Sequence, residues 1–336
     1  MAGTVLVTGG SGYIAGFLVQ TLIERGWTVR ATIRNLAREA DVRATLGIAD
    51  RERLRFFAAD LTGDAGWAEA MAGCTHVAHV ASPFPAGKVT DDDLIPPARD
   101  GALRALRFAK EAGVARVVLT SSVAAIAYGR DKTMFTEADW TDATAPDVQP
   151  YIKSKTIAER AARDWMAEHG AGMEFCTVNP AAVLGPVLSG DYSTSIQFVS
   201  RMLDGSVPGY PRLGFAVVDV RDLADLHVRA LEAPGIDGER FIAAGRFMMM
   251  GEVAEILRTR LGAKARKVPR RQLPDWLLRV MALFDGSIRQ IVGELGRRRA
   301  VDPSHTAEVL GWRTRAEAES IVDTAESLIA KGLVKV

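Results

Sequence analysis

A run of small residues near the start of the chain, Thr8-Gly9-Gly10-Ser11-Gly12-Tyr13-Ile14-Ala15, follows the apolar stretch Thr4–Thr8 and opens a second apolar segment. That order predicts a strand turning sharply into a helix, because glycine adopts backbone conformations that a Cβ forbids. The spacing is Gly-x-x-Gly-x-x-Ala from Gly9 through Gly12 to Ala15, not the Gly-x-Gly-x-x-Gly of the commonest dinucleotide fingerprint. A helix beginning there presents unpaired N–H groups and a partial positive charge, which suit a pyrophosphate. Thr8, Gly9, Gly12, Tyr13 and Ile14 are accordingly read as dinucleotide-binding.

The first half repeats this unit. Strand-like runs at Thr4–Thr8, Trp27–Arg34, Leu54–Asp60, His76–Ala81, Arg116–Ser121 and Met173–Asn179 alternate with helical segments at Tyr13–Arg25, Arg38–Leu46, Ala65–Ala72, Pro97–Ala112 and Tyr151–His169. Such alternation predicts a parallel sheet covered on both faces. Gly26, Gly113 and Gly170 stand just past three helices, where a left-handed C-terminal cap favours glycine. Pro96-Pro97 suits a helix start. Beyond Gly185-Pro186 the pattern loosens. Helix is expected at Ser193–Leu203 and Val220–Glu232, strand at Phe215–Val218 and Phe241–Ala244, and mostly helix after Gly251, with a short strand at Arg266–Val268. The expected fold is α/β: a Rossmann-type doubly wound parallel sheet with a smaller, mostly helical C-terminal substrate lobe. Residues 1–185 form the core with 215–245 returning to it, and 186–214 with 246–336 form the lobe.

Charge narrows the partners. The 336 residues carry 42 Lys plus Arg against 41 acidic residues, so no overall field draws nucleic acid or an anionic membrane. The run Arg297–Arg299 reads as a solvated helix end. Cys74 and Cys176 lie in apolar stretches and read as buried thiols of a reducing, cytoplasmic compartment. Five scattered histidines show no metal-ligand spacing, and no metal is expected. No charged side chain precedes Glu24, yet no basic leader is present and glycines interrupt the apolar run. That segment is expected to be the first strand and helix of a soluble domain, not a signal or a span.

Chemistry concentrates at the sheet's expected carboxyl edge, where open α/β folds bind ligands. Tyr151 and Lys155 are four residues apart, so a helix places them on one face, where an ammonium would acidify the phenol. Thr120-Ser121-Ser122 ends a strand, and a serine hydroxyl there can hydrogen-bond a carbonyl beside Tyr151. The second strand ends in Arg34 with Arg38 a turn later, where an acidic residue would select NAD; a guanidinium instead favours the 2′-phosphate of NADP. Asp60 and Leu61 follow the third strand, where the adenine would lie, and Val80-Ala81 close the fourth near the nicotinamide ribose.

These residues resemble the extended short-chain dehydrogenase/reductases, in particular the dihydroflavonol-reductase-like aldehyde and ketone reductases. The resemblance spans nearly the whole chain. It is carried by Val7 to Ile14, Val29 to Arg34, Cys74 to Pro83, Thr120-Ser121-Ser122, Tyr151-Ile152-Lys153-Ser154-Lys155, Asn179 to Pro186 and Val218 to Ala224. It implies Ser122, Tyr151 and Lys155 as the catalytic set. It also implies NADP (NADPH) contacts from Arg34, Asp60, Leu61, Val80, Ala81, Thr120, Ser121, Tyr151, Lys155, Pro180, Val183 and Ser195. The implied reaction is pro-S hydride transfer between NADPH and a carbonyl carbon, with Tyr151 as general acid.

Two departures bear on the substrate. Ala127 stands five residues beyond Ser122, where plant dihydroflavonol reductases carry Asn or Asp. Asp147-Val148-Gln149-Pro150 precedes Tyr151, where cinnamoyl-CoA reductases carry a Lys-Asn-Trp-Tyr-Cys-Tyr-type motif. Both count against a phenylpropanoid role. Phe84, Ala127, Tyr128, Ile196, Phe198 and Met202 suggest an apolar pocket for a small-molecule carbonyl or alcohol, and each fits core packing equally. The partner is thus a small molecule, and the chain a monomer or homodimer. The alternatives are an NAD-dependent nucleotide-sugar epimerase or dehydratase, a steroid-type hydroxy dehydrogenase, and a non-catalytic NADP-sensing binder.

Overall fold

A computed structural model describes residues 3–83, 90–284 and 286–336. The first half runs β1 (Thr4–Val7), α1 (Tyr13–Glu24), β2 (Thr28–Ile33), α2 (Glu39–Leu46), β3 (Leu54–Ala58), α3 (Trp67–Met71), β4 (His76–His79), α4 (Asp91–Glu111) and β5 (Arg116–Thr120). A short β6 (Met134–Phe135) precedes α5 (Pro150–His169), β7 (Glu174–Pro180) and β8 (Ala182–Leu184). Then come α6 (Thr194–Asp204), β9 (Gly214–Asp219), α7 (Val220–Glu232), β10 (Arg240–Ala243), β11 (Phe247–Met249) and α8 (Met250–Leu261). The remainder is α9 (Asp275–Met281), α10 (Gly286–Val292), β12 (Ala300–Val301), α11 (Ser304–Leu310) and α12 (Glu317–Ala330).

The main sheet has the order β10-β7-β5-β4-β1-β2-β3, with every neighbouring pair parallel. Strand order reverses between β1 and β4, which opens a crevice at their carboxyl ends. Alternation along β1 divides the core. Val5 and Val7 face an apolar cluster shared with α1 and α7, and Leu6 faces the one shared with α3 and α4. A second sheet, β11-β9-β8, joins residues 182–184 and 214–219 beside the main one, while β10 returns to the main sheet's edge.

Four local expectations are corrected. α4 begins at Asp91, so Pro96 and Pro97 lie inside it. Asp91, Asp92 and Asp93 favour that N-terminus, and the Thr90 N–H donates to the Asp93 carboxylate at 2.8 Å, which offsets the prolines' missing donors. Gly26 and Gly113 have φ of 91° and 72°, but Gly170 keeps φ −79° and Gly172 makes the left-handed turn at 82°. No strand forms at Arg266–Val268, which follows a 3-10 turn over Gly262–Ala265. Arg297–Arg299 is no solvated helix end. Arg297 pairs with Asp147 at 2.6 Å, Arg298 lies over the Phe247 ring, and the largely buried Arg299 pairs with Glu294 at 2.6 Å.

Candidate active site

The turn after β1 is built by close approach. Gly9 has φ +70°, and a Cβ on it would sit 3.1 Å from the Ala81 Cβ; one on Gly10 would sit 2.8 Å from the Ala31 Cβ. Backbone thus lies where side chains would otherwise fill space, and Gly12 caps α1 with no side chain over the helix end. Tyr13 and Gly16 of α1, Arg38 of the turn before α2, and Leu188, Ser189 and Asp191 complete a cleft there. The Gly12-capped start of α1 and the Arg38 guanidinium suit an anionic diphosphate there, while the Asp41 and Asp191 carboxylates also line the cleft.

The other proposed cofactor residues divide by where their atoms point. Thr8 is buried, bonded to the His79 imidazole at 3.0 Å and accepting from the Ala81 N–H at 2.9 Å, so it ties β1 to the end of β4. The Tyr13 ring packs edge-on against Phe17, its hydroxyl buried without a partner, which leaves its backbone for the cleft. Ile14 and Val80 pack on the main core, and Leu61 on α4 beside Gly101. Arg34 is exposed at the end of β2, close enough to Asp60 to help hold that carboxyl low. Thr62, bonded through its N–H and hydroxyl to one Asp60 oxygen, is the larger cause. Val183 is buried in β8, and Ser195 is half-buried in the first turn of α6, just after Ser193, whose buried hydroxyl has no partner.

At the opposite end, α5 delivers Tyr151 and Lys155 to one face beneath the end of β5. The Tyr151 phenol lies beside the Ser122 hydroxyl, near enough for that group to lower its pKa. The Ser122 hydroxyl accepts from the Ala124 N–H at 3.1 Å and lies 3.4 Å from the Pro180 carbonyl. The Lys155 ammonium donates to the Thr120 carbonyl at 3.4 Å. Burial pushes that ammonium down to about 8, opposed by the Glu159 carboxylate, so Lys155 is cationic at pH 7. The acidified phenol expected from sequence is not found. Burial raises the Tyr151 phenol, and only the neighbouring Ser122 hydroxyl counters it, because the ammonium is turned to the Thr120 carbonyl. A neutral, proton-bearing phenol beside a hydroxyl and a cation can donate a proton to a developing oxyanion.

Ser121 and Thr120 engage their side chains with two different helices, α5 and α7. The Ser121 hydroxyl donates to Glu159 at 2.5 Å, and the Thr120 hydroxyl bonds His227 at 2.7 Å. Glu159 and Asn179 behind them carry no role in the sequence reading. The signal was present, since Glu159 continues the four-residue spacing of Tyr151 and Lys155. The expected apolar pocket is also revised. Ile196 and Met202 are core residues of α6, Phe198 stacks on Phe215, and Ala127 is buried. Tyr128 alone among the described members packs with Tyr151, and Phe84 lies outside the described residues.

The model of the NAD dependent epimerase/dehydratase family matches residues 5–244. The chain belongs to that family, the extended short-chain dehydrogenase/reductases. A cinnamoyl-CoA reductase of Medicago truncatula is 38% identical over 271 residues, 77% of this chain and 81% of its own. A dihydroflavonol 4-reductase of Zea mays is 33% identical over 268 residues, 77% of this chain and 74% of its own. The yeast methylglyoxal/isovaleraldehyde reductase Gre2, solved with NADPH, superposes with a TM-score of 0.82 at 26% identity, over 98% of this chain and 100% of that one. Among the described residues no helix is long and apolar enough to cross a membrane, and no cluster of three or more His, Cys, Asp or Glu could hold a metal.

Proposed function

We propose that this chain is an NADPH-dependent carbonyl reductase, converting a hydrophobic aldehyde or ketone reversibly to the alcohol. The observation that carries the reading is the placement of Tyr151 and cationic Lys155 one helical turn apart on α5, with the Ser122 hydroxyl beside the phenol. The glycine turn, Arg34 and Arg38 would hold the diphosphate and 2′-phosphate, and Lys155 the nicotinamide ribose. When bound, NADPH supplies the hydride. Ser122 orients the carbonyl oxygen, and Tyr151 gives that oxygen its phenolic proton as the charge develops. The phenolate left behind, beside the Ser122 hydroxyl, regains a proton from solvent. Residues 186–214 and 246–336 would form the substrate lobe over this edge, with Tyr128 against the substrate.

Purified protein mixed with NADPH and a panel of aromatic and aliphatic aldehydes and ketones tests this through the cofactor's near-ultraviolet absorbance. Consumption with at least one hydrophobic carbonyl is expected. Tight NADPH binding with no consumption on any of them would instead mark a cofactor-sensing binder.

A further inference from the structure

Behind the Ser122, Tyr151 and Lys155 edge lies a carboxylate that no step above uses. The side chain of Glu159 is 0% exposed and sits one turn beyond Lys155 on the same face of α5. Burying a carboxylate is unfavourable unless donors surround it, and here they do. Oε2 accepts from the Ser121 hydroxyl at 2.5 Å and the Asn179 amide at 2.8 Å. Oε1 accepts from Arg240 Nε at 2.7 Å and Arg163 Nε at 3.4 Å. The second amide hydrogen of Asn179 goes to the Ser122 carbonyl, 3.2 Å away. One carboxylate therefore fixes Ser121, on one flank of Ser122, and Asn179, which holds the backbone of Ser122 itself.

Its charge matters as much as its shape. The groups around Lys155 are few among the described residues. Its own helix supplies Tyr151 and Glu159, β5 presents the Thr120 carbonyl, and β4 presents His79, an imidazole that burial and the Lys155 charge drive down to about 3 and so leave neutral. Arg163 and Arg240 stand on the far side of Glu159. Glu159 is thus the negative group that supports the Lys155 cation, and the two arginines temper it.

We propose that Glu159 is a positioning residue for the carbonyl-reducing edge: its carboxylate orients Ser122 through Ser121 and Asn179 and keeps Lys155 protonated at neutral pH. This rests on the reductase reading for its effect on turnover, but not for its effect on Lys155. A merely structural Glu159 would stabilise the fold through Arg240 and leave Lys155 where it is.

The test is Glu159→Gln, which keeps volume and hydrogen-bonding capacity and removes the charge. Lys155 is titrated by NMR in the full-length protein with carbon-13-labelled lysine, and turnover with NADPH is measured across pH. The Lys155 midpoint is expected to move about one unit or more toward acid. The alkaline limb of the turnover profile should move with it, and turnover at pH 7 should fall at least about twofold. An unmoved midpoint and a superimposable pH profile, with only a lower melting temperature, would overturn the proposal. Arg163→Met decides the matter if the first variant does not fold, since that side chain is 21% exposed. Removing a cation that tempers Glu159 should move the Lys155 midpoint upward, and an unmoved midpoint refutes the idea. A wild-type protein that reduces no carbonyl would sink the reductase reading, while the NMR titration would still judge this one.

Discussion

The two ends of the proposed cofactor path are built on opposite plans. At the adenosine end the surface is backbone and exposed guanidinium: glycines at Gly9, Gly10 and Gly12, with Arg34 and Arg38 in solvent. At the nicotinamide end Ser122, Lys155, Glu159 and His227 are buried and hydrogen-bonded, and Tyr151 is half-buried among them. Recognition at the first end rests on groups that can be exchanged singly. Chemistry at the second rests on groups that hold one another, so a change there disturbs rate, titration and stability together.

The largest expected effect tests the buried end. Tyr151→Phe keeps the ring and deletes the acid, and should lower kcat by ~10²–10⁴-fold with little change in NADPH affinity. Near-normal turnover would remove Tyr151 from the chemistry and the comparison with it. Lys155→Met removes a buried charged donor, typically worth ~1.5–3 kcal/mol, so kcat/KM should fall about tenfold to a hundredfold. Unlike an adenosine-end change, it should weaken NADH and NADPH use alike, as steady-state kinetics with both cofactors will reveal.

Arg34→Glu probes the exposed end. The ratio of kcat/KM for NADPH over NADH should drop roughly tenfold, with kcat at saturation unchanged. An unaltered ratio would hand the phosphate to Arg38. The smallest effect is on stability. Burial is the leading cause that drives the His79 and His227 imidazoles from 6.5 to about 3 and about 4. Below pH 6.5 the unfolded chain takes up protons that the folded chain refuses, so stability is full above that pH and declines as pH falls toward 4. Melting temperatures measured from pH 7 to pH 4 should trace this fall, and His227→Gln should make it shallower.

The two plans also differ in how plainly they are written in the sequence. The glycine turn and the alternating strands announce themselves because period and small-residue spacing are local signals. The start of α4 was obscured because two prolines imitate a helix beginning where a capped, acid-rich turn already exists. Tyr151 and Lys155 were legible by helical spacing, but the raised phenol was not, since burial and the direction of the Lys155 ammonium follow from tertiary packing. The C-terminal part of the chain was the least legible. Its ties include long-range polar bonds such as Arg221 to Asp323 at 2.6 Å and Arg299 to the Ala127 carbonyl at 3.0 Å, which no local pattern encodes. The same blindness assigned Ile196 and Met202 to a pocket when they belong to the core.

One of those distant ties has a consequence for synthesis. The Gly185 and Val187 N–H groups, just before the cleft residue Leu188, donate to the hydroxyls of Thr324 and Ser327 in α12, at 2.7 and 2.9 Å. A nascent chain on the ribosome can therefore assemble most of its parallel sheet yet lack a finished cleft at the proposed diphosphate site until α12 emerges. Loading of the dinucleotide then falls late in biogenesis, and a chain stalled before α12 is made should be a poor competitor for the cellular nucleotide pool.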